Sequence, residues 1–325
     1  MLKILYAAGN HSSSKIQLSR FLKAIEGHPY IIKIAAYKQS SPNCNVDWTL
    51  DCLLNIYNPL FISPENNDNF KTYYHQVKCF NPDLIISDIE YFSSHIANVL
   101  NITLWQVSSL LINFAIPNKY DFGLFKKYAY QLNRSPVYTQ RISNIIDNSN
   151  INLIYSHLGD IANPPKLKDN FEWIKPYHNV GKDYIPCKHN IVSASLDGDK
   201  KIFNLLKKYS DSIAFTERSV EQFDNPKVKS LENEQEYYCN LKNCNLFVCQ
   251  GQASFLADAF YNGKYSVTLL NLNDNECIVN GLYSEHYGCG STVFNDDLSS
   301  FMGKEVAQND NKIQFLHEKI NEIIN

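Results

Sequence analysis

The sequence has little of what several specialised protein classes require. No run approaches the ~18 apolar residues of a membrane-spanning helix, and the opening MLKILYAAGN is too short an apolar stretch for a signal peptide. There is no surplus of positive charge. Thirty Lys and Arg against 33 Asp and Glu leave a net charge of −3, which excludes a broadly basic nucleic-acid binder and leaves room only for a local basic patch. The nine cysteines (Cys44, Cys52, Cys79, Cys187, Cys239, Cys244, Cys249, Cys277 and Cys289) are odd in number, scattered, and contain no C-x-x-C, so they do not form the framework of a secreted disulfide scaffold. Cys239, Cys244 and Cys249 stand five apart, looser than usual zinc-ligand spacing. Several lie in apolar stretches, as buried free thiols do. The compartment is therefore read as reducing and cytoplasmic. Low-complexity tracts and sequence repeats are also missing.

What is present is globular. Of 325 residues, 44% are hydrophobic and 19% charged. That length suits two domains of ~150 residues better than one core. Residues 1–8 read as a buried strand, followed by the polar loop Gly9 to Ser14. A helix then carries Ile16, Leu18, Phe21, Leu22 and Ile25 at spacings of three and four, and Tyr30 to Ala36 is a second strand. This β-loop-α-β unit builds parallel sheets. It recurs: a helix over Phe70 to Cys79, a strand Leu84 to Ile86 ending near Asp88, a helix Ser93 to Leu100, and a strand Ile102 to Ser108. Trp48 to Ile56 has some helical periodicity, and Ile151 to Tyr155 reads as a strand. Pro164, Pro165, Pro176, Gly181 and Pro186 punctuate a linker-like region, which puts a domain boundary near 180. The same grammar then returns through the strands Asn190 to Ser193, Ser212 to Phe215, Leu246 to Cys249 and Tyr265 to Leu270, with a final amphipathic helix over Lys312 to Ile324.

The most informative segment is NLFVCQGQASFLADAFYNGKYSVTLLNLNDNECIVNGLYSEHYGCG, Asn245 to Gly290. It resembles the donor-binding signature of GT-B glycosyltransferases, in the branch of the UDP-glycosyltransferases and the bacterial N-acetylglucosaminyltransferase of peptidoglycan synthesis. That signature is a strand ending in His-Gly-Gly-x-Gly-Thr-x-x-Glu, a small-residue helix, a Gly-Lys/Arg-Pro turn, a strand, a loop with Asp-Gln-x-x-Asn, and then Gly-x-Gly. The His falls on Gln250 and the glycines on Gly251, Gln252 and Ser254. The Thr falls on Phe255 and the Glu on Asp258. The turn is Gly263-Lys264, the loop acid Glu276, its Gln Cys277 and its Asn Asn280, with Gly288 and Gly290 following at the family spacing. Spacing is kept without a gap while identities are kept only in part, as in a divergent member. Ahead of it, the opening strand and loop with His11, and PDLIISD with HIANVLNITLWQVSS, resemble further phrases of the family.

The resemblance implies a GT-B fold of class α/β: two Rossmann-like doubly wound parallel-sheet domains facing across a cleft. Residues 1–180 would form the acceptor side and residues 181–325 the nucleotide-sugar side, the last helix returning to the first domain. It implies sugar transfer from a nucleotide-diphosphate sugar, most often a UDP-sugar, to a hydroxyl, with inversion and without a catalytic metal. His11 would be the general base and Asp88 its orienting acid, with Glu90 as an alternative. Gln250, Gly251, Ser254, Asp258, Glu276 and Asn280 would hold the donor, with softer roles for Ser195 and Arg218 near the diphosphate. The residues alone also permit a plainer reading, in which Ser254 caps a helix, Asp258 is solvated and Asp88 caps the helix after it. A nucleotide-sugar 2-epimerase of the same architecture, and a non-catalytic nucleotide-sugar binder, are the alternatives. The acceptor is not written in the sequence, and the charge balance does not point to a nucleic acid.

Overall fold

The computed structural model describes residues 1–9, 14–37, 46–50, 67–116, 136–178, 189–196, 200–217, 220–270, 275–293, 298–302, 304, 306 and 313–324. His11 and Arg218 lie outside them.

Two sheets organise the chain, both entirely parallel. The first contains β1 (Leu2–Ala7), β2 (Tyr30–Tyr37), β3 (Trp48–Leu50), β4 (Leu84–Ser87), β5 (Thr103–Val107), β6 (Ile151–Tyr155) and β7 (Phe171–Ile174), in the order β3-β2-β1-β4-β5-β6-β7. The second contains β8 (Ile191–Ser195), β9 (Ser212–Thr216), β10 (Val228–Ser230), β11 (Leu246–Cys249), β12 (Ser266–Leu269) and β13 (Gly290–Val293), in the order β10-β9-β8-β11-β12-β13. Each order reverses once, between β1 and β4 and between β8 and β11. In open α/β sheets that reversal opens a crevice outside the strands' C-terminal ends.

The central strands, such as β4, β8, β9, β11 and β12, are buried on both faces, as parallel strands flanked by crossover helices must be. In β1, Ile4 and Tyr6 face one side with α1 (Ser14–Ala24), whose Leu18 and Phe21 meet them. Leu5 faces the other side, with α2 (Asp68–Phe80) and α3 (Tyr91–Leu100). The connection after β5 passes through a 3₁₀ turn, Ser109–Leu111, into α4 (Ile112–Ala115), and α5 (Pro136–Asp147) precedes β6. The second sheet is covered on one face by α6 (Lys200–Lys208), through Ile202, Leu205 and Leu206. Its other face is covered by α7 (Glu234–Asn243) and α8 (Ala253–Tyr261), through Tyr237, Leu241, Phe255 and Leu256. After β12 comes α9 (Asn275–His286). The last helix, α10 (Leu316–Ile324), packs on the first sheet: Leu316 and Ile320 join the cluster of Ile4, Tyr6 and Phe21, and Phe315 bridges to Lys175.

Three elements differ from the sequence reading. Trp48–Leu50 is a strand, because its edge pairing with β2 and the packing of Trp48 on Tyr73 and Phe80 override weak helical periodicity. The proline-punctuated stretch near 164–186 is not wholly a linker, since Phe171–Ile174 extends the first sheet as its edge strand. The segment aligned with the family's acid-and-Asn loop is helical from Asn275 onward.

The two halves share an apolar seam. Ile89, Leu110, Leu111, Ile112 and Leu158 of the first pack with Phe260, Ile278, Val279, Leu282 and Tyr283 of the second. Among the described residues, no helix is long and apolar enough to cross a membrane.

Candidate active site

The site forms where the C-terminal ends of both sheets meet. On the first sheet, Asp88 follows β4. Its N–H donates to Ala7 O (2.9 Å), and its carboxylate accepts from Ser14 Oγ in the first turn of α1. Asp88 therefore joins the two strands at the reversal point to the helix after β1. It does not cap α3. That role falls to Glu90, whose carboxylate accepts from Phe92 N (3.0 Å) and Ser93 N (2.6 Å). Ile89 between them has φ +52°, a conformation a β-branched residue adopts only under strain, held by its N–H to Gln106 Oε1 (3.2 Å).

On the second sheet, Ser195 ends β8 and Gln250 follows β11, one on each side of the reversal point. Ser195 Oγ and Gln252 Nε2 both donate to Gln250 Oε1, at 3.1 and 3.2 Å. Gly251 makes the turn with φ +95°, and a Cβ there would lie 2.6 Å from Cys277 O, so the turn presses against α9 where only glycine fits. Helix α8 then starts at Ala253 without a side-chain cap. Its first amides, Ala253 and Ser254 N–H, have no intrahelical acceptor by geometry. Two polar atoms at this helix end, Gln252 Oε1 and Ser254 Oγ, are buried without a hydrogen-bond partner among the described residues, as is Asn280 Nδ2 in α9. Ser254 is completely enclosed and caps nothing.

Glu276, in the first turn of α9, is buried and accepts from Ser109 Oγ (2.8 Å) across the seam. Asp258 lies one turn into α8 and is fully buried, not solvated. Arg20 of α1 pairs with it in a two-pronged bridge, Nη1 to Oδ1 at 3.0 Å and Nη2 to Oδ2 at 2.7 Å. Burial lifts the Asp258 carboxyl above its ordinary range, and Arg20 and the hydroxyls of Tyr238 and Tyr237 pull it part of the way back. Beside this bridge lies a pocket of 280 Å³ between α1 and α7, lined among others by Ile16, Arg20, Leu231, Tyr237, Tyr238 and Phe255.

Thus Ser195, Gln250, Gly251 and Ser254 gather around the start of α8, Glu276 stands at the start of α9, against which Gly251 presses, Asp258 and Asn280 lie more than a turn into those two helices, and Asp88 occupies the equivalent edge of the first sheet. Sequence reasoning missed Arg20, Ser109 and the Tyr237–Tyr238 pair. Arg20 sits on an amphipathic helix like any surface arginine, and its partner is 238 positions away. His157 is enclosed against Phe260 with Ser284 Oγ at 3.4 Å, and burial lowers its pKa to about 3. Among the described residues, no cluster of His, Cys, Asp and Glu is arranged to hold a metal ion.

Two parallel sheets, each with a single reversal and facing one another across the ends of their strands, define the GT-B fold, and this chain has it. Solved structures with this architecture include the glycosyltransferase SsfS6 of Streptomyces sp. SF2575, at 12% identity over 90% of this chain and 88% of that one with a TM-score of 0.54. The calicheamicin glycosyltransferase CalG4 is similar at 11% identity over 90% and 85%, TM-score 0.54. S. aureus MnaA, solved with UDP, is similar at 11% identity over 92% and 94%, TM-score 0.50. No protein-family model and no curated protein sequence matches the chain.

Proposed function

We propose that this protein transfers a sugar from a nucleoside-diphosphate sugar, foremost a UDP-sugar, to an acceptor hydroxyl. The observation that carries the reading is the pair of partnerless polar atoms at the start of α8, Ser254 Oγ and Gln252 Oε1, with Asn280 Nδ2 likewise partnerless in α9. A buried hydroxyl or amide without a partner costs about 1–3 kcal/mol, and such groups persist where a ligand satisfies them. The helix end beside them offers free amides and the positive end of a helix dipole, which suit a diphosphate. UDP is the nucleotide with which MnaA was solved.

In this reading the residues around the second sheet hold the donor and those around the first receive the acceptor. The acceptor oxygen attacks the anomeric carbon as the bond to the β-phosphate oxygen breaks. The acceptor's proton passes to His11, oriented by Asp88, and the configuration inverts. The charge left on the diphosphate is stabilised by the Ala253 and Ser254 amides and by Ser254 Oγ, with Arg218 as a further cation. Gln250, Glu276 and Asn280 face the sugar hydroxyls, and no step requires a metal.

The test is a thermal-shift panel with UDP, GDP, dTDP and CMP. A ligand at 100 times its Kd adds about 2.7 kcal/mol, a rise of a few degrees. The reading expects one of the three nucleoside diphosphates to give that rise and CMP, a monophosphate, to give none. The sugar conjugate of that diphosphate should then release it, ~10²–10⁴-fold more slowly in His11→Ala with binding retained. No rise with any of the diphosphates overturns the proposal.

A further inference from the structure

Of the residues the resemblance gives to the donor, Asp258, one turn past the diphosphate end of α8, is the acid placed to accept from the ribose hydroxyls, and it is already fully engaged. Asp258 Oδ1 accepts from Arg20 Nη1 (3.0 Å) and Tyr238 OH (3.1 Å), and Oδ2 accepts from Arg20 Nη2 (2.7 Å) and Tyr237 OH (3.3 Å). A carboxylate has about four acceptor sites, and all are used. The guanidinium is fixed in turn, with Nη1 donating to Tyr177 O (2.8 Å) and Nη2 to Tyr238 OH (2.9 Å). Ribose hydroxyls therefore reach Asp258 only by displacing donors already on it, and Arg20 alone holds a site on each oxygen.

Charge decides which ligands can do so. Ribose hydroxyls are neutral, so an exchange of Arg20 for ribose separates two opposite charges, one of them on a side chain with no exposed surface. A nucleoside alone offers nothing to the released guanidinium. A nucleoside diphosphate does, because its anion lies at the start of α8, about 6 Å along the helix from Asp258 at 1.5 Å per residue. The guanidinium also has somewhere to go, since Arg20 lines the pocket between α1 and α7.

We propose that Arg20 is a positioning residue that gates the donor site, holding Asp258 until a ligand carrying both a ribose and a diphosphate displaces it. The proposal rests on the donor-site reading above. It makes Arg20 a determinant of specificity for the diphosphate over the bare nucleoside. It also ties donor binding to the contact between α1 and α8, because the released bridge is one that joins the two halves.

Calorimetric titration of uridine and of UDP tests it, in the wild type, Arg20→Gln, Arg20→Lys and Tyr261→Phe. Tyr261 of α8 donates its hydroxyl to Asp160 of the first half, away from the pocket, so its loss controls for a general loosening of the halves. In the wild type UDP is expected to bind at least ~100-fold more tightly than uridine. In Arg20→Gln uridine binding should improve about tenfold and the UDP-to-uridine ratio should fall about tenfold or more, with Arg20→Lys between and Tyr261→Phe at the wild-type ratio. Circular dichroism checks each fold, and Arg20→Lys alone decides the matter if Arg20→Gln does not fold. A ratio unchanged in both Arg20 variants overturns the gate while leaving the donor site standing. If GDP or dTDP gives the thermal-shift rise instead, it and its nucleoside take the place of UDP and uridine in the titration, and no diphosphate binding to any of the four proteins overturns both.

Discussion

Replacing Ser254 by alanine separates a binding group from a structural one. Ser254 has no exposed surface, and its Oγ has no partner among the described residues. A buried hydroxyl bonded within the fold would lose about 1 kcal/mol or more of stability on deletion. Here the deletion removes a desolvated group that makes no bond, and alanine is also the better helix former by a few tenths of a kcal/mol. Against that stands only the small void left by one oxygen. The net expectation is a stability equal to the wild type or higher by about 1 kcal/mol, which is a rise in Tm of about 2 °C for a chain of this size. Ligand binding should move the other way. A hydroxyl donating to a charged oxygen contributes about 1.5–3 kcal/mol, so UDP affinity should fall about 10- to 150-fold. Urea denaturation and calorimetric titration of the same preparation give both numbers. A lower Tm in Ser254→Ala would mean the hydroxyl supports the fold. An unchanged UDP affinity would mean it does not face the diphosphate. Either result refutes the reasoning.

Other outcomes follow from the same geometry. Gly251→Ala forces a Cβ to within 2.6 Å of Cys277 O and 2.9 Å of Thr268 Cγ2 at φ +95°. The strain and overlap together cost about 2–5 kcal/mol and should lower Tm by roughly 5–10 °C; a change within 1 °C would show that the turn relaxes freely. His157 has a folded pKa of about 3 against an unfolded value of 6.5, so its stabilising effect is fully present above pH 6.5 and is lost as pH falls. About 1.4 kcal/mol should be gone by pH 5.5, and His157→Gln should flatten that limb of a Tm-against-pH curve. His178, lowered to about 4 by burial, adds a loss of the same sign. Ile320→Ala, in the last helix but fully enclosed on the first sheet, should cost about 2–5 kcal/mol by denaturation, whereas a cost below 1 kcal/mol would mean α10 docks loosely.

Much of the architecture was legible because buried parallel strands and amphipathic helices carry strong local patterns. LFVC and ASFLADAFY mark β11 and α8 to the residue, and INLIY marks β6. The short edge strands β3, β7 and β10 were not legible, since WTL, FEWI and VKS each carry a polar residue in place of the unbroken apolar run of LFVC, and prolines stand close to β7. Helix α9 was missed because the resemblance placed Glu276 and Asn280 in a loop, and Gly281 within it is no helix former. Its missing Cβ is what lets the helix approach Thr268, whose Cγ2 would stand 2.9 Å away. At the site, spacing located the residues around α8, but their partners are long-range. Nothing local in Arg20 or Tyr238 points to Asp258, and nothing local in Ser109 points to Glu276. The difference between Asp88 and Glu90 was likewise invisible. Two acids flank the start of α3, and only the fold hands the capping bonds to Glu90 and ties Asp88 to Ser14.

The central claim is that the start of α8 holds the diphosphate of a nucleotide sugar, and the most direct measurement is a crystal structure of the protein soaked with UDP. The account predicts phosphate oxygens within hydrogen-bond distance of the Ala253 and Ser254 amides and of Ser254 Oγ, with the ribose toward Asp258. UDP bound elsewhere on the molecule, with Ser254 Oγ and Asn280 Nδ2 still without partners, would contradict it.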